Sequence, residues 1–356
     1  MFLASARLLA APELLLVDPM EAVYPDVRPS ALCADAPLAA PLGGTMVLQV
    51  VLRGEPDDLQ IDRMELVEGS TVVAAQWYAL DFVPVEQNTG VSFGTEIRDG
   101  KKNPYVIRRA PFEIADAMAP VGAAWDSEAW KSRKAGFDQR GLAAFAVRWP
   151  VGGDAKPGLH RYTVKAKLKE GIMVCSRFSV QVYPVTVPAP QQGTFNLVQT
   201  SKAKPIAKAF NVPLWSEEFW ALYGSFARTL VEGRQSTGFV YLNEMAVDCP
   251  TGTEPQFGQR LDRMIKLLKD AGMRDYLGSG IFKPILPRDP ANPRWGVNSY
   301  QSPVFGTPEG DAKARALFGQ VRKAIEENGV ADKFKIQIFD EVPESDNALF
   351  IRAAKM

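Results

Sequence analysis

One stretch, Pro184-Val-Thr-Val-Pro188-Ala-Pro190, limits what this chain can fold into more than any other. Its prolines lack backbone donors and stiffen the chain, so neither a helix nor a central strand continues through it. The hydrophobic pattern also changes across it, from short strand-like runs before to alternating strand and helix periods after. This predicts a boundary between two domains, residues 1–187 and 194–356. A chain of 356 residues that is 46% hydrophobic and 23% charged has enough apolar surface for two cores.

Before the boundary, Met46–Leu52 (MVLQVVL) is an apolar run of strand length, and Leu59, Ile61, Met64 and Leu66 suggest a second strand with a bulge where the parity slips. Thr71–Val83 is rich in β-branched and aromatic residues. Residues 95–141 keep little period and read as a long excursion with one short helix. Tyr162, Val164, Ala166 and Leu168 then alternate with polar residues, and Lys169-Glu170-Gly171 turns the chain into Ile172–Tyr183 as a hairpin. The expectation is an antiparallel β-sandwich with an accessory role.

After Gly193 the order is strand then helix, repeated. Thr194–Thr200 is followed by a helix capped by Ser216, and Phe239–Leu242 by a helix around Leu261, Ile265 and Leu268 that Gly272 ends. Tyr276–Phe282 leads to a helix from Thr307-Pro308 to Asn328-Gly329, and Phe334–Glu341 (FKIQIFDE) is the fourth strand. Four such units predict a parallel sheet, either open and doubly wound or part of a barrel. No GxGxxG or P-loop pattern opens a helix, so no nucleotide cofactor is indicated and the barrel is preferred. The fold class expected is therefore multi-domain: a β-sandwich followed by a partial, four-unit (β/α)8 TIM-type barrel. A closed barrel takes eight strands and about 250 residues. The chain thus reads as truncated at its C-terminal side, with unpaired barrel edges open to self-association.

Lys plus Arg and Asp plus Glu each total 41, which gives no field to attract nucleic acid. Cys33, Cys175 and Cys249 are too few and too scattered for a zinc ribbon or a disulfide scaffold. His160 is the single histidine, so HExxH metal chemistry is absent and acid–base work falls to carboxylates; its own place is a surface or strand edge. No stretch is long enough to span a bilayer, and Met1–Leu16 lacks the basic start of a signal peptide, which leaves the compartment open.

The fourth strand ends on the adjacent carboxylates Asp340 and Glu341, before Pro343. Two readings stand: the pair caps the next helix, or it is catalytic, since barrel enzymes place their chemistry at the carboxyl ends of strands.

The sequence resembles glycoside hydrolase family 123 and its DUF4091-type relatives. The resemblance is carried by Leu16-Val-Asp-Pro-Met-Glu-Ala-Val-Tyr-Pro-Asp26, Trp149-Pro150 with Asp154-Ala-Lys-Pro-Gly158, Val212-Pro-Leu-Trp-Ser-Glu-Glu-Phe-Trp220, and the terminal DE of the fourth strand. It implies hydrolysis of a terminal β-linked N-acetylgalactosamine in which the substrate's own acetamido oxygen attacks the anomeric carbon. Asp340 would then orient the acetamido group, and Glu341 would serve as acid and then base. Gln199 and Asn243, at the ends of the first two strands, are candidates to hydrogen-bond the sugar, and Trp295 and Tyr300 to stack on it. A non-catalytic carbohydrate-binding relative and an open-sheet enzyme of other chemistry remain the alternatives.

Overall fold

The computed structural model describes residues 11–33, 35–87, 97–98, 101–102, 106–132, 141–189, 192–193, 196–279, 307–337, 348, 351 and 354–355. The chain divides into two compact units, Met1–Val187 and Pro188–Met356.

The first unit holds two five-stranded sheets. One runs β1 (Glu13–Val17), β3 (Thr45–Arg53), β10 (Leu142–Pro150), β6 (Gln76–Val85), β9 (Phe112–Pro120); the other runs β2 (Leu38–Leu42), β12 (Met173–Thr186), β11 (Gly158–Leu168), β4 (Ile61–Glu68), β5 (Thr71–Val72). A two-residue ladder, β7 (Ile97–Arg98) with β8 (Lys101–Lys102), stands apart. Alternate residues of both sheets close one core: Leu48, Val50, Leu52, Phe145, Val147 and Trp149 from the first, and Leu66, Val164, Ala166, Phe178 and Val180 from the second. Each fully buried side chain of this size contributes about 1.5–3 kcal/mol. The first sheet is apolar on its other face too, where Leu15, Val17, Val51, Leu142 and Ala144 gather with Val23. That is why β3 and β10 read as continuous apolar runs rather than alternating ones. Gln49, the polar residue inside MVLQVVL, donates from Nε2 to the carbonyls of Asp18 and Glu21 at 2.8 Å each, and so pins the segment that follows β1.

Three details differ from the sequence reading. The β2–β12 pair is parallel, so the second sheet is mixed rather than antiparallel. The excursion predicted for 95–141 contains a full strand, β9; as the edge of its sheet it exposes much of FEIADAMAP, which blurs its period. Leu59 belongs to a 3-10 turn, Pro56–Leu59, rather than to the strand, and the parity slip between Ile61 and Met64 falls within β4, where the register shifts opposite Lys167/Leu168. His160 lies on β11, partly buried, and Cys33 and Cys175 are exposed free thiols whereas Cys249 is buried.

In the second unit, β13 (Thr237–Tyr241), β14 (Asp275–Ser279) and β15 (Phe334–Gln337) are parallel and adjacent in sequence order. The helices are α1 (Ala203–Ala209), α2 (Glu217–Glu232), α3 (Leu242–Met245), α4 (Pro255–Ala271) and α5 (Pro308–Glu327). Ser216 and Thr307 cap α2 and α5 by accepting the backbone N–H of Phe219 and Gly310, and Gly272 ends α4 in the left-handed region at φ 103°. Phe219, Tyr223, Leu261, Ile265, Leu317 and Val321 pack with Val240, Tyr276 and Phe334 of the sheet. Gly238 and Gly278 make room for this layer: a Cβ at Gly238 would lie 2.8 Å from Leu268, and one at Gly278 2.8 Å from Phe334 and 3.1 Å from Leu242. Phe334 and Ile336 therefore belong to the helix-facing side of the sheet; Lys335 and Gln337 take the opposite face, with Phe239, Tyr241, Leu277 and Ser279 in the same register.

The strand expected at Thr194–Thr200 is reduced, among the described residues, to one parallel bridge, Val198 to Thr237. The short helix α1 was not expected from the sequence; its Pro205 lies in the first turn, where a helix tolerates proline. Among the described residues no helix is long and apolar enough to cross a membrane.

Candidate active site

The carboxyl ends of β13, β14 and β15 open on one side of the second unit, as parallel strands require. Of the residues singled out from the sequence, Gln199 and Asn243 lie among the described ones; Asp340, Glu341, Trp295 and Tyr300 lie outside them. Asn243 is not the last residue of a strand but sits in α3, the single turn that follows β13. Its Oδ1 is sealed from solvent and has no hydrogen-bond partner among the described residues. A desolvated acceptor of this kind costs about 1–3 kcal/mol, so it is a place where a donor would be favoured.

The segment from 196 to 203 is held beside β13 by side chains more than by a ladder. The Leu197 N–H donates to Ser236 Oγ at 3.1 Å, and the Leu197 carbonyl accepts the N–H groups of Ser236 and Thr237. Buried Gln235 donates from Nε2 to the carbonyls of Gln199 (3.2 Å) and Thr237 (3.0 Å). Tyr223 reaches from α2 to Ser201, 2.9 Å from its Oγ and 3.2 Å from its carbonyl oxygen; burial pushes the phenol up to about 12, so it stays a donor throughout the physiological range. Glu244, only 4% exposed, accepts the Ala203 N–H at 2.7 Å on Oε2. Burial raises its pKa; the Ala203 and Lys204 N–H groups and the charges of Lys202 and Lys204 pull the other way. Lys202, exposed, places its Nζ 5.2 Å from the centroid of the Tyr241 ring, and the Phe239 ring lies 4.7 Å from that of Tyr241, tilted by 46°.

Next to this group the chain after α3 is equally fixed. Arg260 of α4 donates to the carbonyls of Met245 (3.0 Å) and Val247 (2.6 Å) while its guanidinium lies over Trp215. Glu254 accepts from the Thr251 hydroxyl and from the Thr251 and Gly252 N–H groups, which hold its carboxyl down to about 2, the hydroxyl most of all. Sequence reasoning missed Glu244, Tyr223 and Gln235. Glu244 offered the nearest signal, being an acid directly after Asn243 at a strand end.

Among its described residues the sandwich offers no comparable set. A cleft of about 310 Å³ beside β4 and β11 is lined by Gln60, Asp62, Lys167, Lys169 and Glu170 among others, without an aromatic platform. Lys167 and Asp62 there neutralise each other at 2.9 Å.

No family model matches the sequence, and no curated protein matches it either. Among solved structures, a family 123 glycoside hydrolase from Clostridium perfringens, studied for glycolipid glycan hydrolysis, aligns over 97% of this chain with a TM-score of 0.62 at 10% identity. The bacterial hydrophobin BslA aligns over 50% of this chain with a TM-score of 0.16, too low to bear on the fold. This chain spans 60% of the length of the glycoside hydrolase structure, and what it has in common with that enzyme is the fold.

Proposed function

We propose that this chain is a glycoside hydrolase that removes terminal β-linked N-acetylgalactosamine with retention, through participation of the substrate's acetamido group. The observation that carries the reading is the fold likeness to a glycoside hydrolase over 97% of the chain. The order of the parallel strands supports a barrel: the Val198 bridge, β13, β14 and β15 lie side by side in chain order, whereas a doubly wound sheet reverses its order partway. Asp340 and Glu341 follow β15 closely in the sequence, and barrel enzymes carry their chemistry just past the carboxyl ends of strands.

In this mechanism the acetamido oxygen attacks the anomeric carbon as the glycosidic bond breaks, and Glu341 gives its proton to the departing oxygen. The ring so formed is a cationic oxazolinium, which a charged Asp340 stabilises. Glu341 then takes a proton from water, which attacks the anomeric carbon and regenerates the acetamide. Asn243 and Gln199 would hydrogen-bond the sugar, Trp295 and Tyr300 would supply aromatic faces, and no cofactor is required.

The test is release of nitrophenol from a β-N-acetylgalactosaminide, with the glucosaminide and the galactoside as controls. Turnover of the acetamido sugars without turnover of the galactoside is expected. Equal turnover of the galactoside, which has no acetamide, would remove the mechanism. A second reading is a non-catalytic carbohydrate-binding relative. Sugar binding without hydrolysis would establish it.

A further inference from the structure

We infer that Glu244 is a positioning residue of the sugar site, holding the Ser201–Ala203 segment so that the Lys202 ammonium stays over the Tyr241 ring. The inference rests on the glycosidase reading and goes beyond it. Glu244 lies on α3, directly after β13, and Ala203 opens α1, which follows the Val198 bridge. One 2.7 Å hydrogen bond, donated by the Ala203 N–H to a buried carboxylate, thus ties the chain leaving the Val198 bridge to the chain leaving β13. Lys202 is the residue before the bonded N–H, and Tyr241 lies three residues before Glu244, so both members of the cation–ring pair are attached to the tie.

Among the described residues the charged or titratable groups around Glu244 are Lys202 and Lys204 from the α1 side and Tyr223 from α2, and Tyr223 in turn faces Tyr241 of β13. Ser201, on the far side of Lys202, is held independently by Tyr223. The residue between two fixed neighbours is the exposed lysine. This arrangement orders a long cationic side chain at the strand ends, where its ammonium can meet the hydroxyl and carbonyl oxygens of a sugar. Ordering such a side chain in advance removes an entropic cost of binding.

The experiment compares Glu244→Gln, which keeps an acceptor oxygen, with Glu244→Met, which fills the space without one. Affinity for N-acetylgalactosamine is measured by calorimetry at a temperature where near-ultraviolet circular dichroism shows each variant folded. The glutamine variant should bind like the parent and the methionine variant roughly tenfold more weakly. In a double-mutant cycle with Lys202→Met, the loss caused by Glu244→Met should largely disappear, because the residue acts through the lysine. Unchanged affinity in Glu244→Met, or an equal loss in both backgrounds, would overturn the inference. If the parent protein binds no N-acetylgalactosamine, the glycosidase reading fails by itself. Amide hydrogen exchange then decides the tie: Ala203 and Lys204 must lose protection in the methionine variant and keep it in the glutamine variant.

Discussion

The two units treat polar groups in opposite ways. Among the described residues the buried polar side chains are Gln49 in the first unit, and Gln235, Ser236, Thr237, Glu244, Asp311 and Asn328 in the second. The sandwich core is built from Trp125, Trp130, Phe145, Trp149 and their aliphatic neighbours, with Trp125, Trp130 and Phe145 rings at mutual centroid distances of 5.6 Å. Burial of a polar group costs stability unless it is well bonded, so a unit that accumulates them does so where geometry matters more than stability. Four of the six, Gln235 to Thr237 and Glu244, are at or next to β13. The difference accords with the proposed function, in which the second unit carries the chemistry.

The largest effect that could break this division is chemical. Glu341→Gln should lower turnover about 10²–10⁴-fold on poor leaving groups and less on activated aryl ones, which need no proton. Asp340→Asn should lower both. Near-parental rates for Asp340→Asn in the nitrophenol assay would end the claim that the second unit carries the reaction through this pair.

Next is packing. Phe145→Ala should cost about 3–5 kcal/mol and Leu261→Ala about 2–5 kcal/mol, since both side chains are fully buried. If the units melt separately, calorimetry will show the first substitution lowering one transition and the second lowering the other. A single transition moved by both would mean that the two cores share one cooperative unit.

Glu244 gives a smaller effect of unusual sign. Burial raises its folded pKa above the ordinary 4.5, so its contribution to stability is full below that value and lost as pH rises through the folded one. At neutral pH the ionised form therefore weighs against the fold, and Glu244→Gln should have a Tm equal to or above that of the parent. A large fall in Tm would show that the negative charge, rather than the acceptor, is what the fold requires.

The smallest effect belongs to the sandwich. His160 presents Nε2 to the Lys156 carbonyl at 2.7 Å and Nδ1 to Glu68 at 2.6 Å, two acceptors that only the imidazolium can serve together. The Lys156 carbonyl first, and then Glu68, raise its pKa above 6.5. The stabilisation is complete below 6.5 and is lost as pH rises through the folded value, a change within about 1 kcal/mol for a pair this near the surface. Urea titrations across this window should show the loss in the parent and not in His160→Leu; identical profiles would remove the histidine from the account.

How much of this was legible in the sequence depended on the kind of residue. Long periodic segments such as the α4 face with Leu261, Ile265 and Leu268 could be read directly, because the apolar spacing is the packing. The edge strand β9 escaped because half-exposed strands carry little alternation, and the stretch before α1 because side chains from elsewhere replace its ladder. In the candidate site, Asn243 was visible as a polar residue at a strand end. Glu244, Tyr223 and Gln235 were not, since their meaning lies in partners 36 to 41 or 22 residues away in the chain.

Gly238 and Gly278 set how near the helical layer comes to the sheet, for each leaves a vacancy that a neighbour's side chain fills to within 2.8 Å of where a methyl group would stand. The thickness of the second unit is thus fixed by atoms that are missing. Its least replaceable positions in the strands include two residues with no side chain at all, and a redesign that enlarged the core would have to begin by leaving them alone.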